Sequence, residues 1–310
     1  MSSTAINERS GLRPMTSPRT RKPASKRRRP TKKKKSTGRF SVGLSFSKIL
    51  IFLALIVFFF ISIGAAGYVI FFRVVVAAEL AHGHASPKVA IIIDDMGHER
   101  ELGARLAALD LNLSYSFLPH SPYLEELESQ VRERGRTIML HLPLEPIDPT
   151  KNPGPGAIYL DEHSGSIAAL FKENLAQLPQ ADGVNNHMGS KFTRDERAMS
   201  ILAEQLLNHN LFFIDSYTTP DSIAMATVAE YGVPTGRGHL FLDTVQQKQA
   251  VCDRLNDLAG LAHRRGFAIG IGHPYQVTVE ALRDCAPGIL ESVELVGADE
   301  LVQIQHGGDK

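Results

Sequence analysis

Tryptophan is absent from the 310-residue sequence, and cysteine occurs only twice. Neither G-x-G-x-x-G nor a P-loop follows any candidate strand, so nucleotide binding has no support. Two cysteines, Cys252 and Cys285, are too few for a Cys-rich zinc module. Both alternatives remain open for them, a disulfide or two separate buried thiols, because sequence does not give the distance between them.

Acidic residues are almost missing from residues 1–48, which contain fifteen Lys or Arg against one acid, Glu8. A segment of this composition cannot bury a core, so we predict a disordered basic arm. The other 262 residues are acidic, with 19 basic and 32 acidic side chains. Because the arm directly precedes an apolar segment, we expect it to contact anionic lipid, and nucleic-acid binding is disfavoured.

Residues 49–72 carry no charge and are long enough to cross a bilayer as a helix. A cleaved signal peptide is the alternative, but its apolar region is usually shorter, roughly 7–15 residues. We therefore predict a single-pass anchor in the cytoplasmic (inner) membrane. The positive-inside rule keeps the arm in the cytoplasm and places everything after the span outside, in the periplasm. Residues 73–87 are predicted to be a linker.

From residue 88 to 303, short apolar runs alternate with amphipathic segments. This alternation predicts a parallel α/β sheet, and about seven strand–helix units over this length favour a closed or nearly closed barrel over an open doubly wound sheet. Residues 304–310 are a tail. The predicted strands are 89–95, 113–119, 137–143, 183–189, 211–217 and 267–274, with a weaker one at 233–243. The predicted helices are 98–109, 122–134, 164–177, 194–209, 221–231 and 246–265, the fourth with a capping box from Thr193 to Glu196.

Polar side chains follow the carboxyl ends of five of these strands. A lone Asp there is often a helix cap, and a lone His is often a core residue, but their recurrence at corresponding positions predicts one shared site. Carboxylate oxygen and imidazole nitrogen suit a divalent metal such as zinc, with a neighbouring carboxylate as general base and a histidine as general acid. The residues are Asp94-Asp95, His141 with Glu145 after it, Asn185-Asn186-His187, Asp215-Ser216 and His273. The remaining histidines are predicted to be surface or loop residues: His98, His120, His163, His209, His239 and His263.

The combination of five motifs resembles the divergent branch of the polysaccharide deacetylases, a NodB-homology type of carbohydrate deacetylase. The resemblance extends from about Lys88 to Val302. It implies a distorted seven-unit barrel and metal-dependent removal of acetyl groups from sugars. The motifs are IIIDDMG (91–97), LHLPLEP (140–146), NNHMGSKFT (185–193), FFIDSYT (212–218) and IGIGHPY (269–275).

By position, the resemblance implies that Asp94 is the general base, Asp95 a metal ligand and His273 the general acid. The family's His-x-x-x-His motif has His141 at its first position but Glu145 at its second. We therefore expect Asp95, His141 and His187 to bind the metal, most simply Zn²⁺. Glu145 is the alternative ligand, and two further residues are candidates for binding or supporting the metal: Asn186 and Asp215.

The family's Arg-x-Pro-Tyr and Asp-Trp signatures are not recognisable in this sequence. Since sugar rings often stack on aromatic side chains, Tyr217 and Tyr275 are the candidate substrate contacts. A membrane-anchored deacetylase of an amino-sugar polymer such as peptidoglycan is the function implied. The alternatives are an inactive relative that binds envelope glycan or protein, and an unrelated metallohydrolase.

Overall fold

The computed structural model describes residues 45–82 and 86–308. The first helix, α1, spans Phe46–His82. Its stretch Phe46–Arg73 contains an 18-residue window with a mean hydropathy of 3.0, and it is the one helix in the described part of the chain long and apolar enough to cross a membrane. The helix therefore continues into the segment predicted as a linker. The predicted disordered arm falls almost entirely on residues 1–44, outside the described residues.

The part of the chain that follows α1 is an α/β fold in which strands and helices alternate from Lys88 onward. The strands are β1 (Lys88–Met96), β2 (Ser114–Phe117), β3 (Ile138–Leu144), β4 (Gly183–Met188), β5 (Phe212–Asp215), β6 (Thr235–Arg237), β7 (Leu240–Phe241), β8 (Phe267–Gly272) and β9 (Glu294–Leu295). The helices are α2 (Arg100–Ala107), α3 (Leu124–Glu133), α4 (Ser164–Ala176), α5 (Glu196–Asn208), α6 (Ala224–Glu230), α7 (Lys248–Arg265), α8 (Gln276–Asp284), α9 (Ala286–Ile289) and α10 (Ala298–Gly308).

All strand pairs are parallel, in the order β6-β5-β4-β3-β2-β1-β8-β7, with β9 also pairing with β1. The order runs from β6 back to β1 without reversing and continues directly to β8 and β7, as in a sheet that curls into a barrel. A doubly wound sheet reverses its strand order at a switch point, so that open alternative is wrong.

A single chain segment, residues 235–241, connects the two edges of the curled sheet. Its first half, β6, pairs with β5, and its second half, β7, pairs with β8. Between the halves, the Gly238 amide donates to the Asp215 carbonyl and the His239 amide donates to the Ile269 carbonyl. The predicted weak strand is thus real but divided. If β6 and β7 are counted together, the barrel has the seven main strands expected of it.

Successive residues of the strands belong to two different hydrophobic cores, one on each face of the sheet. Odd-numbered positions of β1, such as Ile91 and Ile93, lie in the core between sheet and helices. Even-numbered positions, such as Ile92, lie in a smaller core that includes Ile269 and Leu301 and fills the barrel. Successive side chains of a strand point to opposite faces, so this assignment also determines which polar residue at each strand end faces the barrel mouth.

Two local features bear on expectations from the sequence, namely the cap of α5 and the pairing of the two cysteines. Helix α5 is capped by Asp195, whose carboxylate accepts from the Ala198 amide, whereas the Thr193 hydroxyl donates to the Gly189 carbonyl. The predicted capping box at Thr193 is therefore wrong. Cys252 of α7 and Cys285, directly after α8, form a disulfide.

Candidate active site

The barrel mouth carries a ring of polar side chains that continue the inward-facing positions of the strands. On β1, Ala90 and Ile92 face the barrel interior, and the next residue of that series is Asp94. The same alternation on the other strands places each polar side chain directly after buried apolar residues of the barrel interior. Together these residues are Asp94, Ser116, His141, Asn185, His187, Ser216, Asp243 and His273.

Three side chains meet at one point of this mouth. The Asp95 Oδ1 atom lies 3.0 Å from His187 Nδ1 and 3.3 Å from His141 Nε2. The two ring nitrogens are 3.2 Å apart. Tetrahedral ligands at about 2.0–2.1 Å from a zinc ion are themselves about 3.3 Å apart. Asp95 Oδ1 is buried, yet no donor reaches it with hydrogen-bond geometry. The donor set and its spacing therefore fit a divalent metal.

Asp95 reaches this cluster because the strand is irregular at its end. Regular alternation would turn Asp95 away from the mouth, but its φ is +54° and the pairing of β1 with β2 shifts register between Ile93 and Met96. The chain then turns at Gly97, with φ +106°, where a Cβ would lie 2.0 Å from Ser121 Oγ. Only glycine fits this turn. The bulge lets two adjacent acids face one site.

Asn185 connects the general-base candidate to the metal cluster. Its Nδ2 donates to Asp94 Oδ1 at 2.7 Å and to Ser216 Oγ at 3.1 Å. Its Oδ1 accepts from the Ser116 hydroxyl and lies 2.8 Å from His141 Nδ1. Since every polar position of the amide is used, His141 is held with its proton on Nδ1 and its Nε2 lone pair toward Asp95.

His273 is oriented by a buried carboxylate on the strand segment that closes the barrel. Its Nδ1 donates to Asp243 Oδ1 at 2.9 Å, and its backbone amide donates to Asp243 Oδ2 at 2.6 Å. The ring stacks between Phe241 and Tyr275, with centroid distances of 6.1 and 5.5 Å. Burial lowers the pKa of His273, but the bond to Asp243 and the charge of Asp94 raise it to about 9. His273 is therefore a protonated imidazolium at neutral pH.

The pKa values of the two adjacent acids, Asp94 and Asp95, are shifted in opposite directions. Burial raises the pKa of Asp94 above the ordinary value for aspartate, and the neighbouring histidines and Asn185 offset only part of this effect. Burial acts in the same direction on Asp95, but the imidazoles of His141 and His187 outweigh it, so the pKa of Asp95 lies below its ordinary value. Asp94 is thus the stronger base of the pair, and Asp95 stays ionised to a lower pH.

The sequence of the barrel matches a known family and known proteins. Residues 91–302 match the family model described as divergent polysaccharide deacetylase. The chain belongs to the divergent polysaccharide deacetylase family. It is 31% identical over 216 residues to the uncharacterized protein YibQ of Escherichia coli K12, covering 69% of this chain and 67% of that protein. It is 33% identical over 221 residues to an uncharacterized protein of Haemophilus influenzae, covering 70% and 77%.

The fold itself has a solved counterpart. A crystal structure of an uncharacterized protein from Agrobacterium tumefaciens C58 superposes with a TM-score of 0.63 at 23% identity, covering 71% of this chain and 90% of that one. At this identity the likeness shows the fold alone.

Glu145, the alternative metal ligand of the sequence reading, lies outside the cluster. One carboxylate oxygen is 2.5 Å from Lys191 Nζ, and the other accepts from the Leu160 amide at 2.8 Å. The backbone carbonyl of Glu145 accepts from the Lys191 and Phe192 amides. Glu145 therefore holds together the loops that follow β3 and β4, which is a structural role.

Asn186 and Asp215 also lie away from the metal cluster, because both occupy outward-facing positions of their strands. Asn186 accepts from the Ser216 amide and donates to the Met188 carbonyl. Asp215 accepts from the Tyr217 amide and the Ser222 hydroxyl. The site residues that were not named from the sequence are Ser116 and Asp243. At the ends of β4 and β5, the residues that face the mouth are the inward neighbours Asn185 and Ser216. Alternation along β4 and β5 could have identified both.

The two tyrosines differ in their relation to the site. Tyr275 stacks on His273 and lines a cleft that opens onto Asp95. Tyr217 has a φ of +54°, and the Arg237 guanidinium lies 4.2 Å above its ring. Tyr217 lines a different, smaller cleft.

The cleft beside Asp95 has a volume of about 560 Å³. Four prolines and two leucines are among its thirteen lining residues, and we refer to it as the proline cleft. The apolar wall residues are Leu102, Leu118, Pro119, Pro153, Pro155 and Pro274.

Proposed function

We propose that this protein is a metal-dependent hydrolase that removes acetyl groups from an amino-sugar glycan of the cell envelope. The observation that carries the proposal is the cluster of Asp95, His141 and His187, with Asp94 and His273 in the same barrel mouth. Membership in the divergent polysaccharide deacetylase family supports the substrate class.

Asp95, His141 and His187 would hold the metal, for which Zn²⁺ is the simplest choice given one carboxylate and two imidazole ligands. When bound there, such an ion supplies Lewis acidity toward a carbonyl oxygen. Asn185 holds the His141 ring in the tautomer that leaves Nε2 free as a ligand.

Asp94 acts as the general base. Its Oδ1 is held by Asn185, and its raised pKa makes the carboxylate a better acceptor for a proton from the attacking water. His273 acts as the general acid. Because Nδ1 donates to Asp243, the proton on Nε2 is the one available to the departing sugar nitrogen or oxygen.

The proposed location in the cell rests on helix α1 and the basic arm before it. Helix α1 would anchor the protein in the cytoplasmic membrane, with the basic arm against anionic lipid in the cytoplasm and the barrel in the periplasm. There the barrel would meet envelope glycan.

The test uses the full chain in lipid nanodiscs. Metal content is measured by mass spectrometry, and acetate release is measured on acetylated chito-oligosaccharides and peptidoglycan fragments. We expect one bound metal, lost in Asp95→Asn, His141→Ala and His187→Ala but retained in Glu145→Gln, which serves as the control. Absence of metal under every loading condition contradicts the proposal. Metal without acetate release favours a glycan- or protein-binding role instead.

A further inference from the structure

The proline cleft has a composition that differs from what a polar sugar chain requires. We propose that it binds the acyl group of the substrate, and that the site therefore also accepts aliphatic acyl chains longer than acetyl. This inference rests on the proposed function, because it places the scissile carbonyl at the cluster of Asp95, His141 and His187. It specifies which acylated sugars that site accepts.

The first argument is the chemistry of the walls. Four of the wall residues are prolines, which have no backbone N–H to offer a hydroxyl group. Leu102 and Leu118 add further apolar surface, and no Lys or Arg lines the cleft. A phosphate or carboxylate group would find no cationic partner there.

The second argument concerns the six polar side chains of the lining, of which three are left for a ligand once Asp95 is assigned to the metal cluster, Tyr275 to the stack on His273 and Gln276 to its own hydrogen bonds. Gln276 is engaged already, because its Oε1 accepts from Arg105 at 2.6 Å and its Nε2 donates to Glu280 at 2.5 Å. His98, Glu99 and Gln246 are the other polar side chains that line the cleft besides Asp95 and Tyr275. A pyranose ring carries several hydroxyl groups, and each one buried without a partner costs about 1–3 kcal/mol. An aliphatic chain has no such requirement.

The third argument is size. The volume of about 560 Å³ falls within the range of roughly 300–1,000 Å³ that holds drug-sized ligands. A two-carbon acetyl group fills only a small part of this space. Proline also fixes its own backbone torsion, so walls of this kind need little ordering when a chain binds.

Asp95 connects the cleft to the chemistry, because the same side chain lines the cleft and belongs to the metal cluster. Tyr275 lines the cleft and stacks on His273. An acyl chain lying in the cleft would therefore place its carbonyl carbon between the metal ligands and the general acid.

The test is a series of glucosamine derivatives with N-acetyl, N-butanoyl and N-hexanoyl groups. Binding to the chelator-treated full chain in nanodiscs is measured by calorimetry, with empty nanodiscs as the blank. A fully buried methylene contributes roughly fourfold in affinity. Because the cleft is open on one side, we expect about tenfold or more between acetyl and hexanoyl. Equal affinity across the series, or tighter binding of chito-oligosaccharides than of the hexanoyl compound, overturns the inference.

Two variants locate the effect. Leu102→Gln places an amide of similar size in the wall. Pro155→Ser changes a rim position, and the fold should tolerate it because the Pro155 side chain is exposed. Both should flatten the chain-length dependence. Leu207→Gln, on the exposed face of α5, is the matched control and should keep it. If neither wall variant changes how affinity depends on acyl-chain length, the acyl chain binds elsewhere and the inference is wrong.

Hydrolysis of the same compounds separates this inference from the proposed function. Preference for long chains in binding, without release of any acyl group, supports the cleft assignment and contradicts the hydrolase. Acetate release with no chain-length preference in binding supports the hydrolase and contradicts the cleft assignment.

Discussion

At the scale of single residues, Asp243 determines the protonation of His273. Among the contributions that raise the pKa of His273 to about 9, the hydrogen bond that its ring donates to Asp243 is the largest. Replacing Asp243 by Asn removes the negative charge while keeping the size of the side chain. We therefore expect Asp243→Asn to lower the pKa of His273, and the alkaline limb of the activity profile should move to lower pH.

The measurement is an NMR titration of ¹³C-labelled histidine in the full chain, which does not depend on activity. Asp284→Asn is the control, because Asp284 is paired with Lys248 and Arg283 and has no contact with His273. An unchanged His273 titration in Asp243→Asn would contradict the assigned role.

Asn185 is the second decisive residue, because one amide holds Asp94 and His141 together. Residues that orient a ligand typically contribute 10–100-fold to metal affinity. We expect Asn185→Ala to weaken zinc binding by about this factor, measured by competition with a chromophoric chelator. Asn174→Ala is the matched control, since Asn174 is equally buried but donates to the Gly156 carbonyl. The prediction fails if both variants bind zinc like the unmodified chain.

The candidate site was partly predictable from the sequence. The strand ends were identified from apolar runs, so Asp94, Asp95, His141, His187 and His273 were all found. The choice between adjacent residues required knowing which face of each strand lies inside the barrel. Asn186 and Asp215 were chosen over Asn185 and Ser216 because that face was not yet assigned. Asp95 breaks the alternation through a left-handed φ that no residue pattern revealed.

At the scale of elements, the closure of the barrel depends on a histidine side chain. His239 was predicted to be a surface or loop residue, but it lies between β6 and β7, where its Nδ1 accepts from the Ile269 amide at 3.0 Å. Protonation of Nδ1 would place two N–H groups against each other. Burial, with smaller effects of Arg265 and Arg237, lowers the pKa of His239 to about 4.

This lowered pKa predicts loss of stability in acid. An unfolded histidine has a pKa of about 6.5, so the unfolded chain binds the proton first as the pH falls. The contribution of His239 is complete above pH 6.5 and disappears toward pH 4, and its total is at most about 3 kcal/mol. His239→Asn keeps an acceptor for Ile269 and does not titrate. We expect its free energy of unfolding to fall less between pH 7 and pH 4.5.

Urea unfolding at both pH values provides the measurement. His263→Asn is the control, because His263 lies on the exposed face of α7 and contacts only Ser292 in the described hydrogen bonds. An identical pH dependence of unfolding in His239→Asn and the unmodified chain would contradict a closing role for His239.

The elements themselves were predicted to within a few residues where a long apolar or amphipathic pattern existed. Helix α5, for example, spans Glu196–Asn208 against a predicted range of 194–209. Helices α8 and α10 were missed although they have nine and eleven residues, and α10 shows that the predicted tail at 304–310 is wrong, since it is helical as far as Gly308. The other two missed C-terminal elements are short. Strand β9 has two residues, and α9 has four and begins next to a proline. Their positions are set by packing against the barrel, which local pattern does not encode.

At the scale of the whole molecule, two independent features bear on topology. Residues 1–48 carry fifteen basic side chains before the apolar helix, which favours retention of this end in the cytoplasm. The Cys252–Cys285 disulfide belongs to the other end of the chain, and disulfides persist in oxidising compartments. Charge and redox chemistry thus favour the same predicted orientation, although neither depends on the other.

This agreement leads to a prediction about the chain in cells. Alkaline phosphatase, which is active only outside the cytoplasm, should be active when fused after Lys310 and inactive when fused within the basic arm. Alkylation without reductant should leave Cys252 and Cys285 unmodified, because both are in the disulfide. A tag at Met1 should remain on the mature protein if α1 is an anchor, whereas a cleaved signal peptide would remove it. An inactive C-terminal fusion together with alkylated cysteines would place the barrel in the cytoplasm, away from the glycan that the proposed function requires.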